Sequence, residues 1–154
     1  MDWLRPLAGG DKVNQWLQAC TAPRPPKLMQ VDWEGAPKNK KMLASVLQYC
    51  GSVSGFKLQS IELPFELEDS EVLVEVHAAG VNPIDCRLRS GAMAKECPII
   101  TPAVLGLDLS GVVRKIGAKV SNVRVGDAVF GRQTVQRLVE GRNGSYAEWC
   151  VVHE

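Results

Sequence analysis

The chain has 154 residues, a formal net charge of +1 and 45% hydrophobic residues, which fits one ordinary domain or one domain with an appendage. The near-neutral charge argues against a dedicated nucleic-acid binder, because such a protein normally carries a basic stripe. No apolar run approaches the ~20 residues that span a bilayer, and the first residues lack the build of a secretory signal. The sequence therefore predicts a cytoplasmic protein that does not enter the membrane.

The first 40 residues differ in composition from the rest of the chain. Five of the nine prolines and three of the four tryptophans lie here. Asp11 can cap a short helix, and the proline-rich residues 22–26 would end it, because proline removes an amide donor. We therefore expect an irregular leader over residues 1–40, with room for a short helix, and a folded domain over residues 41–154.

From Met42 onward, short apolar runs separated by Gly, Pro and Asn predict a series of strands. A short helix or a 3-10 turn is expected at Asp85–Ser90, and residues 133–142 fit a helix or a long loop equally well. Many short strands with little helix favour a barrel or a sandwich over a layered α/β sheet. The predicted strands are Met42–Tyr49, Lys57–Leu63, Glu71–Ala79, Leu107–Ile116, Val123–Val125, Ala128–Gly131 and Gly144–Val152.

The strand over residues 71–79 alternates regularly. Three valines lie on one face, whereas Glu71, Leu73, Glu75 and His77 lie on the other. A slip of one residue would bury the two glutamates without partners, so we expect the register of this strand to be firmly set. His77 is expected at the surface or the rim, with no catalytic role.

Glycines mark the turns that separate these strands. Glycine allows a positive φ, and an aspartate beside it accepts hydrogen bonds from nearby amides. We therefore expect Gly80, Gly106, Gly126 and Asp127 to build turns and to take no part in chemistry.

Five blocks of sequence, in order, carry a family resemblance: EVLVEV, AGVNPID, GLDLSGVV, VRVGDAVFG and GSYAE, within residues 71–148. Together they resemble the N-terminal, GroES-like domain of medium-chain dehydrogenases/reductases, and most closely the zinc-independent quinone and enoyl reductase branch. The resemblance covers roughly residues 41–154. It implies a mainly β fold, a partly open GroES-like barrel with short helices, and an oxidoreductase that uses NADPH on a small enone or quinone.

The resemblance also bears on metal binding. Where zinc-dependent relatives carry Cys-His and His-Glu ligand pairs, this chain has Asn82-Pro83 and Leu107-Asp108. A catalytic zinc needs about three N, S or O ligands, and Asp108 is the only charged candidate left. The loop that holds four cysteines in those relatives retains only Cys97. We therefore expect no zinc.

The resemblance places Asn82 on the floor of the substrate cleft. Its amide can donate to a ligand oxygen and accept from a ribose hydroxyl, although an Asn before Pro also starts turns for backbone reasons. Asp85 either contacts the ligand or caps the following helix. Asp108 is expected to close a hydrogen bond at the rim, with Arg87 or Arg89, and Tyr146 is a further candidate for contact with substrate.

Binding of NADPH in this family requires a Rossmann unit, in which a strand leads through a glycine-rich turn into a helix. The 154 residues contain no such unit. Two hypotheses follow. The chain is the substrate-side domain of a reductase, inactive without its missing Rossmann domain, or it is a non-catalytic binding or assembly module that retains the barrel and whose partner covers the same face.

Overall fold

The computed structural model describes residues 4–6, 41–64 and 66–154 of the chain. The short helix and the proline-rich run expected in the leader lie outside the described residues. No helix within those three ranges is long and apolar enough to cross a membrane. The elements are β1 (Leu4–Pro6), β2 (Lys41–Leu47), β3 (Phe56–Glu62), β4 (Glu71–Ala79), α1 (Pro83–Ser90), β5 (Ala103–Val104), β6 (Asp108–Ile116), β7 (Ala128–Arg132), α2 (Val135–Val139) and β8 (Trp149–His153).

The strands form two antiparallel sheets. One has five strands in the order β1-β7-β6-β4-β8, and the other has three in the order β3-β2-β5. The segment before β8 joins them, because the amide of Ser45 donates to the carbonyl of Tyr146 and the amide of Val76 donates to the carbonyl of Glu148, both at 2.8 Å. The sheets do not close completely. This mainly β, partly open barrel confirms the predicted fold class.

The observed element bounds correct several predictions. Residues 123–125 form no strand, because Val125-Gly126 makes a turn in which the Asp127 side chain accepts from the amide of Arg124 at 2.9 Å. The last strand begins only at Trp149, since the preceding residues bridge the two sheets. The two-residue strand β5 was not predicted, and residues 133–142 contain the five-residue helix α2.

The first five residues of β4, Glu71–Glu75, are buried on both faces of the strand, which the alternating pattern did not predict, whereas His77 is exposed as expected. The strand lies between β6 and β8, and Leu73, on the face expected to be open, is fully buried against Met42 and Trp149. Glu71 and Glu75 are 0% and 4% exposed. They are buried as partners of Arg137 and Arg114, so the barrel accommodates them by ion pairing.

Helix α1 is held by its buried face. Leu88 packs with Leu47, Leu105, Leu107 and Leu138 in a cluster that joins both helices to the sheets. The helix ends at Gly91, whose φ of 78° is the left-handed conformation that glycine adopts without strain. This packing holds α1 against Leu47 of β2, in the three-stranded sheet.

Candidate functional site

The start of α1 is shaped by three residues. Asn82 is the N-cap in extended conformation, and Pro83 follows at the first helical position, where its missing N–H costs nothing. Oδ2 of Asp85 then accepts a hydrogen bond from the backbone amide of Asn82, at 2.9 Å. One oxygen of Asp85 is therefore used for helix capping, one of the two roles considered from the sequence.

The side chain of Asn82 is fixed by Asp108. Its Nδ2 donates to Oδ2 of Asp108 at 2.8 Å, and the amide of Gly80 donates to the Asp108 carbonyl at 3.1 Å. Gly80 is needed for this close approach, because a Cβ there would lie 3.0 Å from the Cβ of Asp108. The side-chain amide of Asn82 has a second N–H, which remains available to a ligand.

The hydrogen bond expected for Asp108 exists, but its partner was predicted wrongly. Oδ2 of Asp108 accepts a hydrogen bond from Nδ2 of Asn82, and Oδ1 of Asp108 lies 3.9 Å from Nε of Arg132 at the protein surface. Arg89 instead donates to the carbonyl of Gly51. The proximity of Asp108 to Arg132 follows from the register of β6 and β7, which sets the two residues opposite each other.

An open cavity of about 690 Å³ lies beside the start of α1. Its walls are mostly apolar. Val81, which precedes Asn82, and Asp85, in the first turn of α1, line it, whereas Asn82 itself is not among the lining residues. The ring of Tyr146 forms part of the wall and packs edge-on against Phe56, with 6.3 Å between ring centroids. The other lining residues are Leu43, Ala44, Ser45, Val53, Leu58, Val76, Cys86, Arg89, Ala147 and Glu148.

The polar end of Tyr146 points away from solvent. Its hydroxyl is buried and has no hydrogen-bond partner in the part of the chain that the structure describes, and the same holds for Oδ1 of Asp85. Burial, followed by the charge of Asp85, raises the pKa of Tyr146. The phenol therefore stays protonated throughout the physiological pH range.

Gly106 allows Tyr146 to occupy this position. Its φ is +97°, and a Cβ there would lie 2.5 Å from both Oγ of Ser145 and Cδ1 of Tyr146. Ser145 in turn donates to the carbonyl of Asp108 at 2.9 Å. The turn before β6 and the segment before β8 are thus packed together directly behind the cavity.

The structure brings the four predicted site residues into one set, since Asn82 contacts Asp85 and Asp108, and Asp85 lies near Tyr146. Gly126 and Asp127 form a separate turn before β7. Sequence reasoning missed the apolar wall contributed by residues 53–58, because exposed hydrophobic residues that are scattered singly carry no signal of their own.

Metal and cofactor binding were tested against the residues present. Among the described residues, no three His, Cys, Asp or Glu side chains converge on a metal site. The pyrophosphate of a dinucleotide does not fit either helix. The first turn of α1 carries the carboxylate of Asp85, which would repel it, and α2 has only five residues.

The sequence of the chain is similar to those of curated oxidoreductases. The chain is 36% identical over 118 residues to the chloroplastic NADPH-dependent alkenal/one oxidoreductase of Arabidopsis thaliana, covering 75% of this chain and 30% of that protein. It is 40% identical over 102 residues to the quinone oxidoreductase of Sus scrofa, covering 66% and 28% respectively. The chain thus spans less than a third of the length of these curated relatives.

Among solved structures, the quinone oxidoreductase of Coxiella burnetii superposes with a TM-score of 0.64 at 34% identity, covering 74% of this chain and 35% of that one. Residues 68–154 match the family described as the alcohol dehydrogenase GroES-like domain. These residues are more than half of the chain and contain the described site, apart from the wall formed by β2, β3 and the loop between them. The chain therefore belongs to the alcohol dehydrogenase GroES-like domain family.

Proposed function

We propose that this chain is the substrate-side part of a zinc-independent, NADPH-dependent reductase that acts on an enone or a quinone. The observation that carries the proposal is the position of Asn82. Its side-chain amide is fixed by Asp108 at the rim of an open apolar cavity, whose wall includes the nearby residues Val81 and Asp85. Such a cavity suits the carbon skeleton of the substrate, and the amide suits its oxygen.

The proposed chemistry of the site follows from charge. When a conjugated carbonyl compound is reduced, its oxygen gains negative charge, and a fixed N–H donor stabilises that charge. Asp108 accepts one hydrogen of the Asn82 amide and so directs the group. NADPH would be held by a nucleotide-binding domain outside the described residues, because these residues do not fit a pyrophosphate. A cytoplasmic location is part of the same proposal.

The first test is the activity of the 154-residue chain by itself. We expect negligible NADPH oxidation with small enones or quinones, together with weak binding of the same enones detected by ligand-observed NMR. Robust turnover by the chain alone would contradict our assignment of cofactor binding to another domain. Absence of any enone binding would contradict the assignment of the cavity.

The second test is a chimera in which residues 41–154 replace the matching part of the Coxiella burnetii quinone oxidoreductase. In an active chimera, Asn82→Ala should lower kcat/KM by roughly 100-fold, the effect of removing one fixed donor to a developing oxyanion. Asn122→Ala, at an exposed turn, is the control and should leave kcat/KM unchanged. Equal rates for the two variants would rule out the donor role.

A second candidate function, a non-catalytic binding or assembly module, is favoured by one observation. Part of the leader, residues 4–6, forms strand β1 on the five-stranded sheet. If the leader is integral to such a module, deletion of residues 1–40 should abolish cooperative thermal unfolding. The reductase proposal, in which residues 41–154 form the domain, predicts that cooperative unfolding is retained.

A further inference from the structure

Asp85 and Tyr146, from distant parts of the chain, line the same cavity, and each has a buried polar atom. Oδ1 of Asp85 and the hydroxyl of Tyr146 are both shielded from water, and neither makes a hydrogen bond of normal geometry to the described residues. Asp85 is only 4% exposed. Buried polar atoms without partners are uncommon and costly, so each of these two requires an explanation.

Both side chains belong to the wall of one cavity, and their interaction contributes to the raised pKa of Tyr146. After burial, the largest cause of the raised pKa of Tyr146 is the charge of Asp85, followed by their side-chain hydrogen-bonding interaction. The chemistry is also complementary, because a phenol hydroxyl donates and an ionised carboxylate only accepts. A small adjustment of either side chain would complete the bond and satisfy both atoms.

Asp85 links this contact to Asn82. Its other oxygen, Oδ2, accepts from the backbone amide of Asn82, and the side chain of Asn82 is held by Asp108. A group that fixes the rotamer of Asp85 therefore also fixes the start of α1. The ring of Tyr146, packed against Phe56, is the part of this residue that faces the cavity.

We propose that the Tyr146 hydroxyl donates a hydrogen bond to Oδ1 of Asp85, and that this link makes Tyr146 a positioning residue for Asn82. A ligand in the cavity contacts the ring of Tyr146, and the hydroxyl acts through Asp85. The positioning role rests on the proposed function of Asn82, whereas the hydrogen bond itself can be tested without the reaction.

The first experiment compares Tyr146→Phe with Tyr49→Phe in the full chain. Tyr49 is the other tyrosine; it is 50% exposed, with its hydroxyl 3.3 Å from Ser54. In Tyr146→Phe we expect the ratio of folded to unfolded protein to fall about tenfold, as for loss of a hydrogen bond to a charged group. We also expect the side-chain amide NMR signals of Asn82 to shift. Tyr49→Phe should change neither, and unmoved Asn82 signals in Tyr146→Phe would overturn the proposal.

The second experiment is a double-mutant cycle with Asp85→Ala, which removes the acceptor for Tyr146 together with the helix cap. Asparagine is unsuitable at this position, because its amide could donate to the tyrosine hydroxyl and restore a hydrogen bond. If the link exists, adding Tyr146→Phe to Asp85→Ala should cost little further stability. Asp127→Ala is the matched control, since Asp127 also accepts a hydrogen bond from a backbone amide, that of Arg124, and its effect should add to that of Tyr146→Phe. Additive effects of Tyr146→Phe and Asp85→Ala would overturn the link.

A third measurement needs no variant, so it remains available if the substituted chains fail to fold. In a pH titration of the full chain followed by the NMR signals of the Tyr146 ring, Tyr146 should stay protonated until the protein unfolds. Ionisation of Tyr146 near pH ~10 in the folded protein, the ordinary value for tyrosine, would show that its hydroxyl is free and would overturn the proposal.

Discussion

At the scale of single residues, the carboxylate of Glu71 is fully buried yet charged. Burial by itself raises its pKa, but hydrogen bonds from Arg137 and from the amide of Glu68, together with the charges of Arg142 and Arg137, outweigh that effect and leave the pKa below 4.5. Since the folded-state pKa is depressed, this group stabilises the fold above the unfolded pKa. That stabilisation is lost as the pH falls through the folded pKa.

Glu71→Gln should lower the free energy of unfolding at pH 7 by about 3 kcal/mol, because it leaves Arg137 partly buried without its counter-charge. Urea denaturation between pH 7 and pH 3 measures this. The stability of the variant should depend less on pH below ~4.5 than that of the unchanged chain. Glu66→Gln, at an exposed position, is the control. Identical pH profiles for both variants and the unchanged chain would contradict the assigned role of Glu71.

At the scale of elements, two turns carry glycines with nearly the same backbone angle. Gly106, before β6, has a φ of +97°, and Gly126, before β7, has a φ of +96°. An added Cβ would collide with Ser145 and Tyr146 at Gly106, whereas at Gly126 it would meet nothing within 4 Å. Alanine substitutions at these two glycines therefore distinguish the cost of backbone strain, present at both, from the cost of a steric clash, present only at Gly106.

Gly126→Ala should lower the free energy of unfolding by about 1 kcal/mol, because alanine is strained in a backbone conformation of positive φ. Gly106→Ala should cost about 2–4 kcal/mol, because displacing the two side chains adds to that strain. The near-ultraviolet circular dichroism of the folded protein should also change in Gly106→Ala, since Tyr146 moves. Equal losses of stability in the two variants would mean that Tyr146 accommodates the methyl group freely.

At the scale of the whole molecule, the three-residue strand β1 forms one edge of the five-stranded sheet. Strand β1 covers β7, and Phe130 in β7 is 48% exposed. A chain shortened to residues 41–154 would leave β7 as an open edge, and open edges pair with other chains. We expect this chain to fold but to self-associate in sedimentation experiments. Adding Phe130→Lys should restore the monomer, and a shortened chain that stays monomeric without it would refute the prediction.

The sequence by itself determined the local features of this protein. The alternation of residues 71–79 predicted β4, the Asn-Pro corner predicted a short helix or 3-10 turn at Asp85–Ser90, within α1, and five short blocks predicted the family. Each of these signals depends on neighbours a few residues apart, so each could be read without knowledge of the fold.

Only the tertiary structure decided the burial of residues 71–75 on both faces of β4, the pairing of Asp108 with Asn82 and the position of the cavity. These features join residues far apart in the chain, such as Glu71 with Arg137 and Asp85 with Tyr146. A single sequence records which side chains are polar but not which of them face each other. The local sequence around Glu71 therefore predicts that this side chain is exposed to solvent. In the folded chain it is buried, because the distant Arg137 supplies the opposite charge.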